Sequence, residues 1–285
     1  MVDLENNINF RTFQPLDQPR QKSDLRIFCW ALMRLETLPT KGRALQNTWT
    51  KRCDKVIFFS SKLGDTKVSW QHPYTSLNSS GNLTIPHNSN YDKNWRELLG
   101  PGAGTQLVIP TITLDVPEGR EHLTAKAMLA SVYSWRVHGQ KFDWFLKSDD
   151  DTYVVMDNLR DMLQSYNPDM PVYFGYRFKP YTPQGYMSGG AGYVLSREAL
   201  RRLVVDGILG KFCGPFTGVE DLDIGQCLYT VGVKALDSVD DLGLERFHPL
   251  NFFAYFGNTI LPTWTGDYAF HPFKRVSVHI FEDVR

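Results

Sequence analysis

Between Leu25 and Phe59 the chain runs an apolar stretch, a helical stretch and a second apolar stretch, and this alternation constrains its fold more than any other feature. Leu25-Arg26-Ile27-Phe28-Cys29-Trp30-Ala31-Leu32 is a mostly apolar run of strand length. Thr40 then offers an N-cap, with Ala44, Leu45, Thr48 and Trp49 at helical spacing. Lys55 to Phe59 repeats the buried-strand pattern. Strand, helix and strand in so short a span predict a βαβ unit and a parallel sheet. The alternation continues with a strand over 107–112, a helix over 120–137 with Leu123, Ala127, Ala130 and Tyr133 or Ser134 on one stripe, and a strand over 142–147. A helix carrying Leu159, Met162, Leu163 and Tyr166 follows, then a strand over 172–176. Gly185 to Leu195 is Gly-rich and ends as a strand, Ser196 caps a helix with Leu200, Leu203 and Val204, and Glu220 to Val231 reads as a helix. The expected fold class is α/β: one domain over 25–285 with a mixed, mostly parallel sheet flanked by helices. Residues 1–24 read as a flexible lead-in. The Ser-, Asn-, Gly- and Pro-rich stretch 62–106 reads as an inserted loop.

Charge narrows the partners. The 31 basic and 31 acidic side chains of the 285-residue chain cancel, and no basic stripe marks a nucleic-acid surface. A neutral sugar, or a compact anion held through a metal, suits such a chain better. No apolar run reaches the ~18 residues that a membrane span needs, and the polar opening lacks the apolar core of a signal peptide. Any membrane anchor is therefore expected outside this chain. The four cysteines, Cys29, Cys53, Cys213 and Cys227, allow three pairings and have no zinc-ligand spacing. With the sequons at Asn78 and Asn82 they favour a secretory compartment.

Four places carry chemistry. Ser148-Asp149-Asp150-Asp151-Thr152 follows an apolar strand directly, and ligands of open α/β sheets bind beyond the carboxyl ends of strands. Carboxylates one residue apart there are hard donors for Mn²⁺ or Mg²⁺, and such an ion neutralises a diphosphate leaving group. Asp also favours turns, and an Asp-x-Asp arises about once by chance in a chain of this length. Glu220-Asp221-Leu222-Asp223 opens a helix, whose dipole favours an ionised Asp221 able to take a proton from a sugar hydroxyl. Ordinary charge at a helix start reads equally well. Gly185-Tyr186-Met187-Ser188-Gly189-Gly190-Ala191-Gly192-Tyr193 lets backbone approach a ligand, with Tyr186 able to stack on a sugar ring, or is a tight turn. His279, within Val278-His279-Ile280-Phe281, alone reads as a structural histidine.

In this order these residues resemble the inverting β1,3-glycosyltransferase family that includes the fringe enzymes and the β1,3-galactosyltransferases. The similarity runs through Thr40-Lys41-Gly42-Arg43-Ala44, Thr48 to Cys53, Trp144 to Val154, Tyr173-Phe174-Gly175, Phe178 to Tyr181, Gln184 to Ser196, Glu220-Asp221-Leu222, Gly225, Cys227 and Phe247-His248-Pro249. The resemblance implies a GT-A fold, UDP-galactose as donor, a GalNAc-bearing glycoprotein as acceptor, Mn²⁺ as cofactor, a Golgi-lumen location behind a type II membrane anchor, and a possible homodimer. It implies Asp149, Asp151 and His279 as metal ligands, and Asp221 as catalytic base. Thr40, Arg43, Asp150, Gly189 and Gly190 are implied at the nucleotide sugar, and Tyr186, Glu220 and Trp264 at the acceptor. It also implies the disulfides Cys29–Cys53 and Cys213–Cys227. After Phe247-His248-Pro249 the chain departs from the family pattern, with Leu250-Asn251-Phe252-Phe253-Ala254, no adjacent cysteine pair and an aromatic acceptor wall reduced to Trp264. These departures fall on the acceptor side. Two other readings stay open: a fringe-like transferase of another hexose, and a non-catalytic chaperone or partner paralogue. Chaperone-type relatives lack the Asp-x-Asp that stands here.

Overall fold

The computed structural model describes residues 20–61, 109–251 and 269, together with the backbone of 276–282. Its elements run β1 (Ile27–Met33), α1 (Arg43–Asn47), β2 (Lys55–Ser61), β3 (Thr111–Leu114), α2 (Leu123–His138), β4 (Trp144–Asp149), β5 (Thr152–Val154), α3 (Met156–Leu163), β6 (Val172–Gly175), β7 (Arg177–Phe178), β8 (Tyr186–Met187), β9 (Tyr193–Ser196), α4 (Arg197–Arg201), α5 (Glu220–Thr230), β10 (Lys234–Ala235), β11 (Glu245–Asn251) and β12 (Val276–Glu282). Strand β1 is buried at every residue. Successive side chains of a strand point to opposite faces, so its apolar run feeds two cores. Phe28, Trp30 and Leu32 join one, and Ile27, Cys29, Ala31 and Met33 join the other. Strand β4 divides likewise, Phe145 to the first and Trp144 and Leu146 to the second.

These strands lie in a seven-stranded sheet of order β10-β6-β9-β4-β1-β2-β3. All neighbours in it are parallel except β9, which runs antiparallel between β4 and β6. Helices α2 and α5 cover the first core, while α1 and α3 cover the second. This is the mixed, mostly parallel sheet with flanking helices that the sequence predicts. A smaller sheet, β11-β12-β5, pairs β5 antiparallel with β12. Among the described residues no helix is long and apolar enough to cross a membrane.

Three local expectations need correction. Thr40 does not cap α1; it lies inside a wide helical turn over Leu38–Gly42 and its hydroxyl donates to the Thr37 carbonyl at 3.1 Å. The helical path starts earlier, with Pro39 in its first turn, where a missing N–H costs nothing. Helix α2 buries far more than one stripe: every residue from Thr124 to Val132 is buried. It packs on the sheet with one side and on α5 and the wide turns over Arg202–Leu209 with another, so apolar cover is needed nearly all round. The strand expected over 107–112 spans Thr111–Leu114, and residues 107 and 108 lie outside the described part. Ser196 does cap α4, accepting from the Ala199 amide at 3.0 Å.

Arg20 anchors the end of the lead-in through an ion pair with Asp143 at 3.2 Å. The inserted stretch 62–106 lies outside the described residues. Both expected disulfides form, Cys29–Cys53 between β1 and the approach to β2, and Cys213–Cys227 between the segment before α5 and α5 itself. The second closes a short loop next to the helix that carries Asp221. Replacing Cys213 and Cys227 together by serine is expected to cost about 3 kcal/mol of stability, the loop-closure entropy returned to the unfolded chain. Urea unfolding of both forms measures it.

Candidate active site

Strand β4 ends on Asp149, and the chain turns over Asp150 and Asp151 into β5. Thr152 closes this turn. Its hydroxyl accepts from the Asp149 amide at 3.1 Å and donates to the Gly190 carbonyl at 3.2 Å. The acidic cluster thus stands at the carboxyl end of a central strand and is tied to the Gly-rich loop by one side chain.

Two residues before Asp149, and so on the same face of the strand, is Lys147, which is 1% exposed. Its ammonium has three hydrogens and meets three acceptors: Asp149 Oδ1 at 2.8 Å, Glu220 Oε2 at 3.2 Å and the Gly189 carbonyl at 3.3 Å. Burial alone would push its pKa down; Asp149 and Glu220 outweigh that and hold it above the usual lysine range. The other oxygen of Glu220 accepts from the Tyr193 hydroxyl at 2.8 Å. Burial moves the Glu220 carboxyl up, with Lys147 opposing, and burial followed by Glu220 moves the Tyr193 phenol well up.

The three acids that open α5 have separate partners. Glu220 faces inward to Lys147. Buried Asp223 accepts from the Thr217 and Gly218 amides at 2.7 and 3.0 Å and from the Thr124 hydroxyl of α2 at 2.7 Å, which fixes the entry to the helix. Asp221 is half-buried and accepts the Gly189 amide at 2.9 Å and its neighbour Leu222 at 2.9 Å. A side chain at Gly189 would put its Cβ 3.0 Å from Glu220 Oε2 and 3.4 Å from the Asp221 Cβ. A side chain there would make these neighbours give by a few tenths of an ångström. Gly192 has φ +74°, and a Cβ there would lie 2.8 Å from the Lys147 carbonyl.

On the other side of the cluster stands the first strand-to-helix turn. Lys41 reaches Asp150 at 2.7 Å and Asp151 at 3.0 Å, and the Thr37 hydroxyl donates to Asp150 at 2.9 Å. Burial raises the Asp151 pKa, Lys41 lowers it, and the neighbouring aspartates add to the rise. A cavity of about 520 Å³ opens here, lined by Asp149, Asp150 and Asp151 together with Arg34, Arg120 and Lys126. Buried Lys126 donates to the Met33 carbonyl at 2.7 Å and to Glu118 at 3.1 Å. Among the described residues no three ligating side chains already form a cation cage. The donor chemistry nonetheless fits a hard divalent ion: like-charged carboxylates crowd the strand end, and Asp151 is held by a half-exposed lysine.

The structure therefore brings Asp149, Asp150, Asp151, Gly189, Gly190, Glu220 and Asp221 into one neighbourhood. Tyr186 lies beside it, buried, its ring 5.6 Å from that of Phe178 and its Cβ against Gly225 of α5. Burial, then Asp221, lifts its phenol to about 12. Arg43 is exposed on α1. The backbone of His279 lies on β12, which pairs with β5 as that strand leaves the cluster, Ile280 opposite Val154 and Glu282 opposite Thr152; its side chain, and all of Trp264, lie outside the described residues. Sequence reasoning missed Lys147, Lys41, Thr37 and Lys126. The signal for Lys147 was present, since a lone charge inside an apolar strand demands a buried partner.

A mixed α/β sheet whose acidic strand end meets a helix-start carboxylate has the GT-A glycosyltransferase architecture. The family model for Fringe-like proteins matches residues 115–252, a span holding the three aspartates, the Gly-rich loop and the start of α5. The chain is 39% identical over 225 residues to glycoprotein-N-acetylgalactosamine 3-beta-galactosyltransferase 1 of Xenopus laevis, covering 79% of this chain and 51% of that protein. It is 31% identical over 137 residues to beta-1,3-glucosyltransferase of Mus musculus, covering 47% of this chain and 27% of that protein. It thus spans about half the length of the first and about a quarter of the second. Among solved structures, the galactosyltransferase LgtC with donor and acceptor sugar analogues aligns over 91% of this chain and 87% of its own at a TM-score of 0.40 and 12% identity, a distance at which nothing further rests on it. Residues 115–252 thus carry a Fringe-like match, and most of the chain is similar to a glycosyltransferase.

At Gly192 a left-handed backbone and a carbonyl contact coincide. Gly192→Ala is expected to cost about 1–3 kcal/mol through strain, read as a lower urea midpoint at unchanged slope.

Proposed function

We propose that this chain is an inverting β1,3-galactosyltransferase that moves galactose from UDP-galactose to O3 of GalNAc on serine or threonine of a glycoprotein. Asp221 takes the proton from the acceptor hydroxyl as that oxygen bonds to the anomeric carbon. The bond from that carbon to UDP breaks from the opposite face, UDP leaves with the electron pair, and the configuration inverts. The observation that carries this reading is the Asp221 carboxylate, half-buried at a helix start and oriented by the Gly189 amide at 2.9 Å, beside the acidic strand end. A carboxylate so oriented can take a substrate proton.

Mn²⁺ fits Asp149 and Asp151, with His279 of β12 proposed as a further ligand; when bound, it would neutralise the diphosphate as a leaving group. The residues of this chain hold the remainder of the donor. Thr40, on the turn whose Lys41 meets the cluster, and Arg43, at the start of α1, are proposed at the nucleotide, together with Asp150, Gly189 and Gly190. Tyr186 and Trp264 are proposed on the acceptor side, and Glu220 supports that side from within through Lys147 and Tyr193. The likeness to an N-acetylgalactosamine galactosyltransferase supports this donor and acceptor, and the paired cysteines support a Golgi-lumen location, with the family's membrane anchor. The similarity to a beta-1,3-glucosyltransferase favours one alternative, the same chemistry with another UDP-hexose.

Transfer from a panel of UDP-sugars to a GalNAc-peptide separates the two readings, since the proposal requires galactose to lead. Chelation by EDTA should abolish transfer, and Mn²⁺ should restore it. Asp221→Asn is expected to reduce transfer by about 10²-fold or more while calorimetry still detects UDP–Mn²⁺ binding; wild-type turnover in that variant would remove Asp221 from the base role.

A further inference from the structure

Strand β4 is the place where a charge is least expected. Trp144, Phe145 and Leu146 are fully buried, yet Lys147 follows them in the same strand with 1% exposure. An ammonium so deep costs several kcal/mol in lost hydration unless its hydrogens are all met. Here they are, and the three acceptors sit on three different segments: Asp149 at the strand end, Gly189 in the Gly-rich loop and Glu220 at the start of α5. Two of these segments bear on Asp221 directly. Gly189 donates its amide to the Asp221 carboxylate, and Glu220 is its neighbour in the chain. The Gly189 contact is close, since a Cβ there would lie 3.3 Å from Lys147 Nζ.

Building on the transferase reading above, we propose that Lys147 is a positioning residue that sets the separation between the donor end of the site, at Asp149, and the base, Asp221. It touches neither substrate. One ammonium gathers the carbonyl and carboxylate that place the base, and holds the first aspartate of the cluster with its remaining hydrogen. Packing alone would not give this result, since apolar contacts are non-directional whereas three hydrogen bonds to three segments define a point.

Removing Lys147 should loosen the base relative to the donor and leave the donor end bound. Two variants are needed. Lys147→Met keeps the length of the side chain but leaves the Glu220 carboxylate buried without its cation. The double variant Lys147→Met with Glu220→Gln removes both charges and keeps the shape, so it is the form expected to fold. The decisive activity reading is the ratio of galactosyl transfer to UDP-galactose hydrolysis, which does not depend on how much protein is folded. Water needs less placement than a sugar hydroxyl, so the ratio is expected to fall about tenfold or more in the double variant, with UDP–Mn²⁺ affinity by calorimetry within about threefold of wild type. Hydrogen exchange on the chain without ligand gives a second reading. The Gly189 amide should lose protection, while the amides of Val194 and Leu195 in β9 keep theirs. An unchanged ratio, or unchanged Gly189 protection in the folded double variant, overturns the proposal. Absence of UDP-galactose turnover in the wild-type chain would count against the transferase reading instead, and the exchange measurement would still decide whether Lys147 holds the loop.

Discussion

A single buried cation organises the end of the sheet. Five carboxylates crowd this region: Asp149, Asp150, Asp151, Glu220 and Asp221. Lys147 and Lys41 answer them, Lys147 from inside and Lys41 from the half-exposed rim. The two lysines differ in what their removal would do. Lys147 has every hydrogen engaged and no access to solvent, so its charge is part of the fold. Lys41 is 41% exposed on its side chain, and an ion pair at that exposure contributes little to stability. The cavity on the open side is lined by Glu118, Asp149, Asp150 and Asp151 and by Arg34, Arg120 and Lys126, so both signs of charge meet there.

The topology explains why the Gly-rich loop can take part. Strand β9 runs antiparallel to β4, with Tyr193 opposite Lys147 and Ser196 opposite Trp144. Its first residue consequently lies at the carboxyl end of β4, and the loop that precedes it, with Gly189 and Gly190, arrives beside the acidic cluster. A parallel strand in the same slot would have sent that loop to the opposite edge of the sheet. The exception to the parallel rule is thus the feature that builds the site. Cores on both faces of the sheet keep the strand ends from shifting, since close-packed interiors resist displacement.

The major elements were legible because their signal is local. Apolar runs marked β1, β2, β4 and β6, and Ser196 marked a helix start through a hydrogen bond spanning three residues. Other features were settled by partners distant in sequence. Nothing near Thr40 indicates that the helical path begins two residues earlier, and the apolar stripe of α2 could not announce that α5 would cover another side. The three acids opening α5 looked alike as a string. Only the fold distinguishes them: Glu220 joined to Lys147 across 73 residues, Asp223 to Thr124 across 99, and Asp221 left with a half-open carboxylate. Glu220 and Asp223 each have a distant partner that a helix dipole does not supply, whereas Asp221 accepts from the first-turn amide of Leu222 as well as from Gly189.

The match to the family and the physical organisation of the site divide the chain in the same place. Residues 115–252 contain the acidic strand end, Lys147, the Gly-rich loop and the start of α5, which are the parts rigidly joined by hydrogen bonds to the main sheet. The departures from the family pattern begin after Pro249, near the end of β11, and β12 joins the domain through the small sheet with β5. That small sheet meets the main one through the turn over Asp150 and Asp151, so changes in the segments attached to it act on the rim of the site and leave Lys147 and its three acceptors in place. Segments on the small sheet can therefore vary while Asp221 keeps its place, because Asp221 is held by the amides of Gly189 and Leu222 and the rim takes its shape from elsewhere.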